Sequence, residues 1–147
     1  MNDPVAILKR DHREVAEMLK TLEASKPGAR RRATVEKLAA SLSLHMEIEE
    51  RDVYPIVTER VGEEEAEEAG IEHRLAREGL AEVQRLVDEP GFGAAVAMLT
   101  AGIKHHVKEE EQEVFPRLKR EMDRDELAAL GDRVMAAKKP RRRARAA

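Results

Sequence analysis

Apolar residues recur every three or four positions through most of this 147-residue chain, and nowhere do they alternate with polar ones over a useful length. Helices are therefore expected, and no strand. Asp3 is a good N-cap with Pro4 at the first helical position, opening a helix to about Ser25 that Pro27-Gly28 breaks. A second helix runs from about Ala29 past Tyr54, to be kinked or ended near Pro55. A third spans roughly Glu63 to Asp88 and is closed by Pro90-Gly91, and a fourth runs from about Phe92 to Lys119, disturbed by Pro116. A short fifth, near Asp125 to Ala137, gathers Leu127, Leu130 and Val134 on one side. The apolar stripes (Leu8, Val15, Leu19, Leu22; Val35, Leu38, Leu42; Ala69, Ala76, Leu80, Val83, Val87; Val96, Leu99, Ile103) have heptad-type spacing, and the connecting loops are short. An all-α, antiparallel, up-down-up-down four-helix bundle follows, occupying residues 1–137 with the C-terminal helix, ahead of a basic tail at 138–147.

Each stripe is broken by residues that do not belong in grease. His12, His45, Glu49, His73, His106 and Glu110 stand where Leu or Val is expected. An offset of 61 aligns His45 with His106, Glu49 with Glu110, Pro55 with Pro116 and His12 with His73, and five of the eleven positions of HMEIEERDVYP and HVKEEEQEVFP are identical. The chain is a duplicated helical hairpin. His45/Glu49 and His106/Glu110 are i, i+4 pairs, so each pair points side by side from one helix. Burying an unpartnered ionisable group costs at least a few kcal/mol, and six would consume most of the ~5–15 kcal/mol by which a domain is stable. His–Glu pairing could satisfy some, whereas coordinated cations would satisfy the whole set. Four imidazoles and two carboxylates exceed what one tetrahedral zinc needs, and imidazole argues against calcium and magnesium. The repeat suggests two ions, one per hairpin, with Glu49 and Glu110 able to bridge. The mixed set suits iron, with manganese and zinc as alternatives.

Composition sharpens this picture. Charged residues make up 39% and aromatics 2%, and there is no cysteine, which rules out thiolate zinc and iron–sulfur sites. The stretch MNDPVAILKRDH is too short in apolar residues for a signal peptide or a membrane span, so a cytoplasmic protein with no membrane partner is expected. The run KKPRRRARAA leaves residues 1–137 with 21 positive and 30 negative charges. Without an aromatic or folded motif beside it, that run reads as a disordered tail rather than a nucleic-acid contact.

The order H…HxxxE…H…HxxxE on four helices, with a proline after each HxxxE block, resembles the hemerythrin-like (HHE cation-binding) family in its compact bacterial type. The resemblance covers residues 4 to about 119. It implies a non-haem di-iron centre with an oxo or hydroxo bridge, His12 and His45 on one iron, His73 and His106 on the other, and Glu49 and Glu110 bridging. Oxygen-carrying hemerythrins have a further histidine one turn after the equivalent of His73, where this chain has Arg77. His105, or Tyr54 turned inward near Pro55, is a candidate to complete the coordination or to support it.

Three functions are open at this point. An enzyme-like di-iron centre would react with hydrogen peroxide or O2, with catalase-like peroxide decomposition favoured. A binding module would sense, carry or store O2, NO or iron without turnover. A metal-free bundle would use its histidines only as internal hydrogen-bonders.

Overall fold

A computed structural model describes residues 2–140. Helix α1 (Pro4–Glu23) starts where the sequence places it: the Asp3 carboxylate accepts from the Val5 N–H, and Pro4 occupies the first turn. Helices α2 (Ala29–Ile48) and α3 (Tyr54–Arg60) form one rod joined by a π turn at Glu49–Val53. Helix α4 is Glu63–Arg85, and α5 (Phe92–Glu109) joins α6 (Phe115–Glu121) through a second π turn at Glu110–Val114. Helix α7 is Arg124–Lys138. Gly91, at φ 95°, supplies the left-handed residue that turns the chain into α5.

The four rods make the expected bundle, α1 packing on α2 and α5, α2 and α3 on α4, and α4 on α5. The helix from Ala29 does not end at Pro55. A proline lacks an N–H and crowds the carbonyl four residues back. The backbone answers by widening, so that the Tyr54 N–H bonds the Glu49 carbonyl five residues behind, and Pro55 then sits harmlessly in the first turn of α3. Pro116 is handled identically, the Phe115 N–H bonding the Glu110 carbonyl. In a five-residue turn Tyr54 falls beneath Glu49, and Phe115 beneath Glu110.

Two apolar clusters fill the bundle. Val15, Leu19, Leu38, Leu42, Leu80, Val83, Val96 and Leu99 pack at one end. Leu8, Ile48, Val53, Val57, Phe115, Leu118, Leu130 and Val134 pack at the other. The polar residues lie between them. Helix α7 rests chiefly on the first hairpin, against α1, α2 and its π turn. Gly131 is required there, since a Cβ would fall 1.8 Å from the Asn2 carbonyl oxygen. Lys138, expected to begin the tail, is instead the last residue of α7, and its ammonium pairs with Asp11. Residues 141–147 of the expected tail lie outside the described residues. Among those residues no helix is long and apolar enough to cross a membrane.

Candidate metal centre

Helical spacing delivers the polar layer. One residue per turn of α1 and α4 faces inward at His12 and His73, and the i, i+4 pairs of α2 and α5 add His45/Glu49 and His106/Glu110. All six are buried, Glu49 completely. Their inner atoms converge: His12 Nε2 lies 3.1 Å from Glu110 Oε1, His45 Nε2 3.2 Å from Glu49 Oε1, and His73 Nε2 3.1 Å from Glu49 Oε1. His106 Nε2 is 3.3 Å from Glu110 Oε1 and 3.2 Å from His73 Nε2. Two groups have ligand atoms mutually within 4.8 Å, one of His12, His45, Glu49 and Glu110, the other of His73, His106 and Glu49. Glu49 belongs to both.

Each imidazole is also held from behind. The Nδ1 atoms of His12, His45, His73 and His106 lie 2.6, 2.9, 2.8 and 2.7 Å from carboxylate oxygens of Glu111, Asp11, Glu50 and Glu72. An ionised carboxylate only accepts, so Nδ1–H donates and the Nε2 lone pair is turned toward the centre. Lone pairs then face carboxylate oxygens with nothing to neutralise them. His12 Nε2, His45 Nε2, Glu49 Oε2 and Glu110 Oε1 are buried without a hydrogen-bond partner. Orphaned atoms of this kind are costly in a closed core and are what cations satisfy. Without a cation, a proton takes that role at His45 and at His106. Burial works against charge on His45, but Glu49 and Asp11 outweigh it and raise its pKa to about 10. Glu110, Glu49 and Glu72 likewise overcome burial to raise His106 to about 12. Burial opposes ionisation of Glu49 too, yet the His45 charge and bonds to its neighbours hold it well below the ordinary carboxylate range.

The family model for the hemerythrin HHE cation binding domain matches residues 3–118. The chain belongs to that family. No curated protein and no solved structure matches this HHE domain.

The structure brings together all six residues expected from the sequence. Tyr54 also turns inward, buried, and its hydroxyl donates to Glu110 Oε2. Burial, then the charges of Glu110 and Glu49, push its pKa up, so it is a neutral phenol there. Its repeat mate Phe115 stacks on His12 at 6.0 Å instead. His105 is not drawn into this HHE centre. It stands 62% exposed, with Nε2 3.0 Å from Glu109 and 3.3 Å from Glu72. Arg77 makes paired bonds of 2.8 and 2.9 Å to Glu50, clamping the carboxylate that supports His73. The apolar pattern does not pick out Asp11 or Glu72, although the sequence carries a signal for them. They precede His12 and His73 directly and obey the same offset of 61, as do Glu50 and Glu111.

Proposed function

We propose that the chain holds two iron ions, with an oxo or hydroxo group between them, and decomposes hydrogen peroxide, two molecules yielding one O2 and two waters. The observation that carries this reading is the convergence of four imidazoles and two carboxylates in one buried layer, with inner atoms of His12, His45, Glu49 and Glu110 left without a hydrogen-bond partner. His12 and His45 would hold one ion and His73 and His106 the other, with Glu49 and Glu110 between them. When bound, an iron pair supplies the redox chemistry that peroxide decomposition requires. The chain supplies the rest. The carboxylates behind each Nδ1 fix ring orientation and ligand basicity. The Tyr54 hydroxyl keeps a proton at Glu110 Oε2.

On the imidazole side of the centre lies a cavity of about 20 Å³ bounded by His12, His45, His73 and His106 together with Val15, Leu42 and Ile103. It has room for about one water-sized molecule. Its walls are apolar apart from the imidazoles and Glu72, which suits a small reactant and keeps bulk water out. The same size and walls fit O2 or NO, which supports a second reading as a sensing, carrying or storage module without turnover.

Iron-loaded protein mixed with peroxide should release O2, and Glu49→Ala or His106→Ala should abolish the release. Release unchanged by both variants would overturn the catalytic reading. A reversible spectral change on adding and removing O2, without turnover, would establish the second.

A further inference from the structure

The repeat that builds the metal centre is broken on one flank. Behind His45, the first hairpin presents Ile7, Asp11, Leu44 and Ile48. Ile7 and Ile48 are buried and Leu44 packs against the same core. Helix α7 lies over this flank with Leu130 and Val134, and Lys138 supplies a cation to Asp11. The offset of 61 places Glu68, Glu72, His105 and Glu109 at the equivalent positions of the second hairpin. There the ligand-type atoms of these four residues lie within 4.8 Å of one another. Glu68 and His105 are exposed, while Glu72 is largely covered.

This cluster is the mouth of a cleft. A narrow space of about 20 Å³ runs between α4 and the α5 rod, with Glu65, Glu68, Glu109 and Glu113 along it and His106 and Glu110 among its walls. Arg117 neutralises Glu65, leaving the other carboxylates free of any arginine or lysine partner among the described residues. Glu110 is 1% exposed and carries the unpartnered Oε1. Glu72 spans the two zones, with one oxygen 2.7 Å from His106 Nδ1 and the other 3.3 Å from His105 Nε2. One flank of the centre is thus plugged by apolar side chains and a lysine, while the other is lined with carboxylates leading to a buried ligand.

We infer that the cleft between α4 and the α5 rod is a port for divalent cations, with Glu68, Glu72, His105 and Glu109 as an outer holding site on the way to His106 and Glu110. The inference rests on the metal-binding reading above and adds the route by which that site fills. Clefts lined by one sign of charge concentrate counter-ions and raise association rates by roughly 10- to 1,000-fold, an effect that salt suppresses.

The test is the rate of Fe²⁺ uptake by the full metal-free chain under anaerobic conditions. Tyr54 is the only tyrosine and tryptophan is absent, so quenching of tyrosine emission reports arrival at Glu110. Glu68→Gln/Glu109→Gln should slow uptake by about 10-fold or more and flatten its salt dependence, with the final metal content unchanged. Glu14→Gln/Glu17→Gln, on α1 away from the cleft, alters net charge equally and should leave the rate alone. Equal rates and equal salt dependence in the two double variants would overturn the port, even with wild-type metal content intact. A wild-type chain that takes up no Fe²⁺ would overturn the underlying metal reading and the port with it.

Discussion

Behind every inward imidazole stands a carboxylate, and those four pairs decide how well the centre can hold an ion. Removing such a partner typically weakens metal binding by about 10- to 100-fold. Asp11→Ala and Glu50→Ala should each do so in a competition titration against a chelator, with the helical content unchanged. Tyr54→Phe restores the residue type of the other hairpin at Phe115, so the variant should fold. It leaves a buried carboxylate oxygen without its donor and should lower metal-free stability by about 1–3 kcal/mol in urea denaturation. The six inward residues were legible in the sequence because an ionisable group on an apolar stripe violates the pattern that places it. Asp11 and Glu72 violate nothing. They lie at the edge of a stripe, in a chain with 39% charged residues, and only the duplicated spacing separates them from ordinary surface charge.

Elements were legible where periodicity and punctuation agree. Asp3-Pro4, Pro27-Gly28 and Pro90-Gly91 each mark a boundary the structure respects to within a few residues. Sequence alone predicts an end or kink at Pro55 and a disturbance at Pro116, because a proline inside an α-helix removes one bond and clashes with the carbonyl four residues back. The chain instead inserts π turns, a solution that hydrophobic spacing alone does not reveal, and one that is frequent at functional sites. Helix α7 shows the converse. Its existence was clear, but not its role in closing one flank of the centre, since that depends on Gly131 meeting Asn2 and Lys138 reaching Asp11. Two substitutions separate its local and packing terms. Asp123→Ala removes a capping box and should cost about 1 kcal/mol. Leu130→Ala empties a fully buried position and should cost about 2–5 kcal/mol, both measured by denaturant unfolding.

For the molecule as a whole, pH separates its metal-free and metal-bound states. His45 and His106 have folded pKa values raised from 6.5 to about 10 and about 12, so the metal-free native state holds protons that the unfolded chain releases. The stability they add is complete below pH ~6.5 and is lost as pH rises, through about 10 for His45 and about 12 for His106. A metal must expel those protons, so its affinity runs the opposite way and grows with pH over that window. Thermal melts of chelated protein should therefore fall between pH 7 and 10 while melts of metal-loaded protein hold or rise, and loading in weak buffer at pH 7 should acidify the solution. The crossed supports behind the imidazoles bear on assembly as well. Glu50 serves His73 and Glu111 serves His12, each reaching from one hairpin into the other. A solitary hairpin would leave its own leading imidazole unsupported, whereas two identical copies meeting about a two-fold axis would furnish every ligand and every support. Metal capture of this design is therefore open in principle to a pair of single hairpins, and joining the two in one chain is what allows their outer flanks to differ.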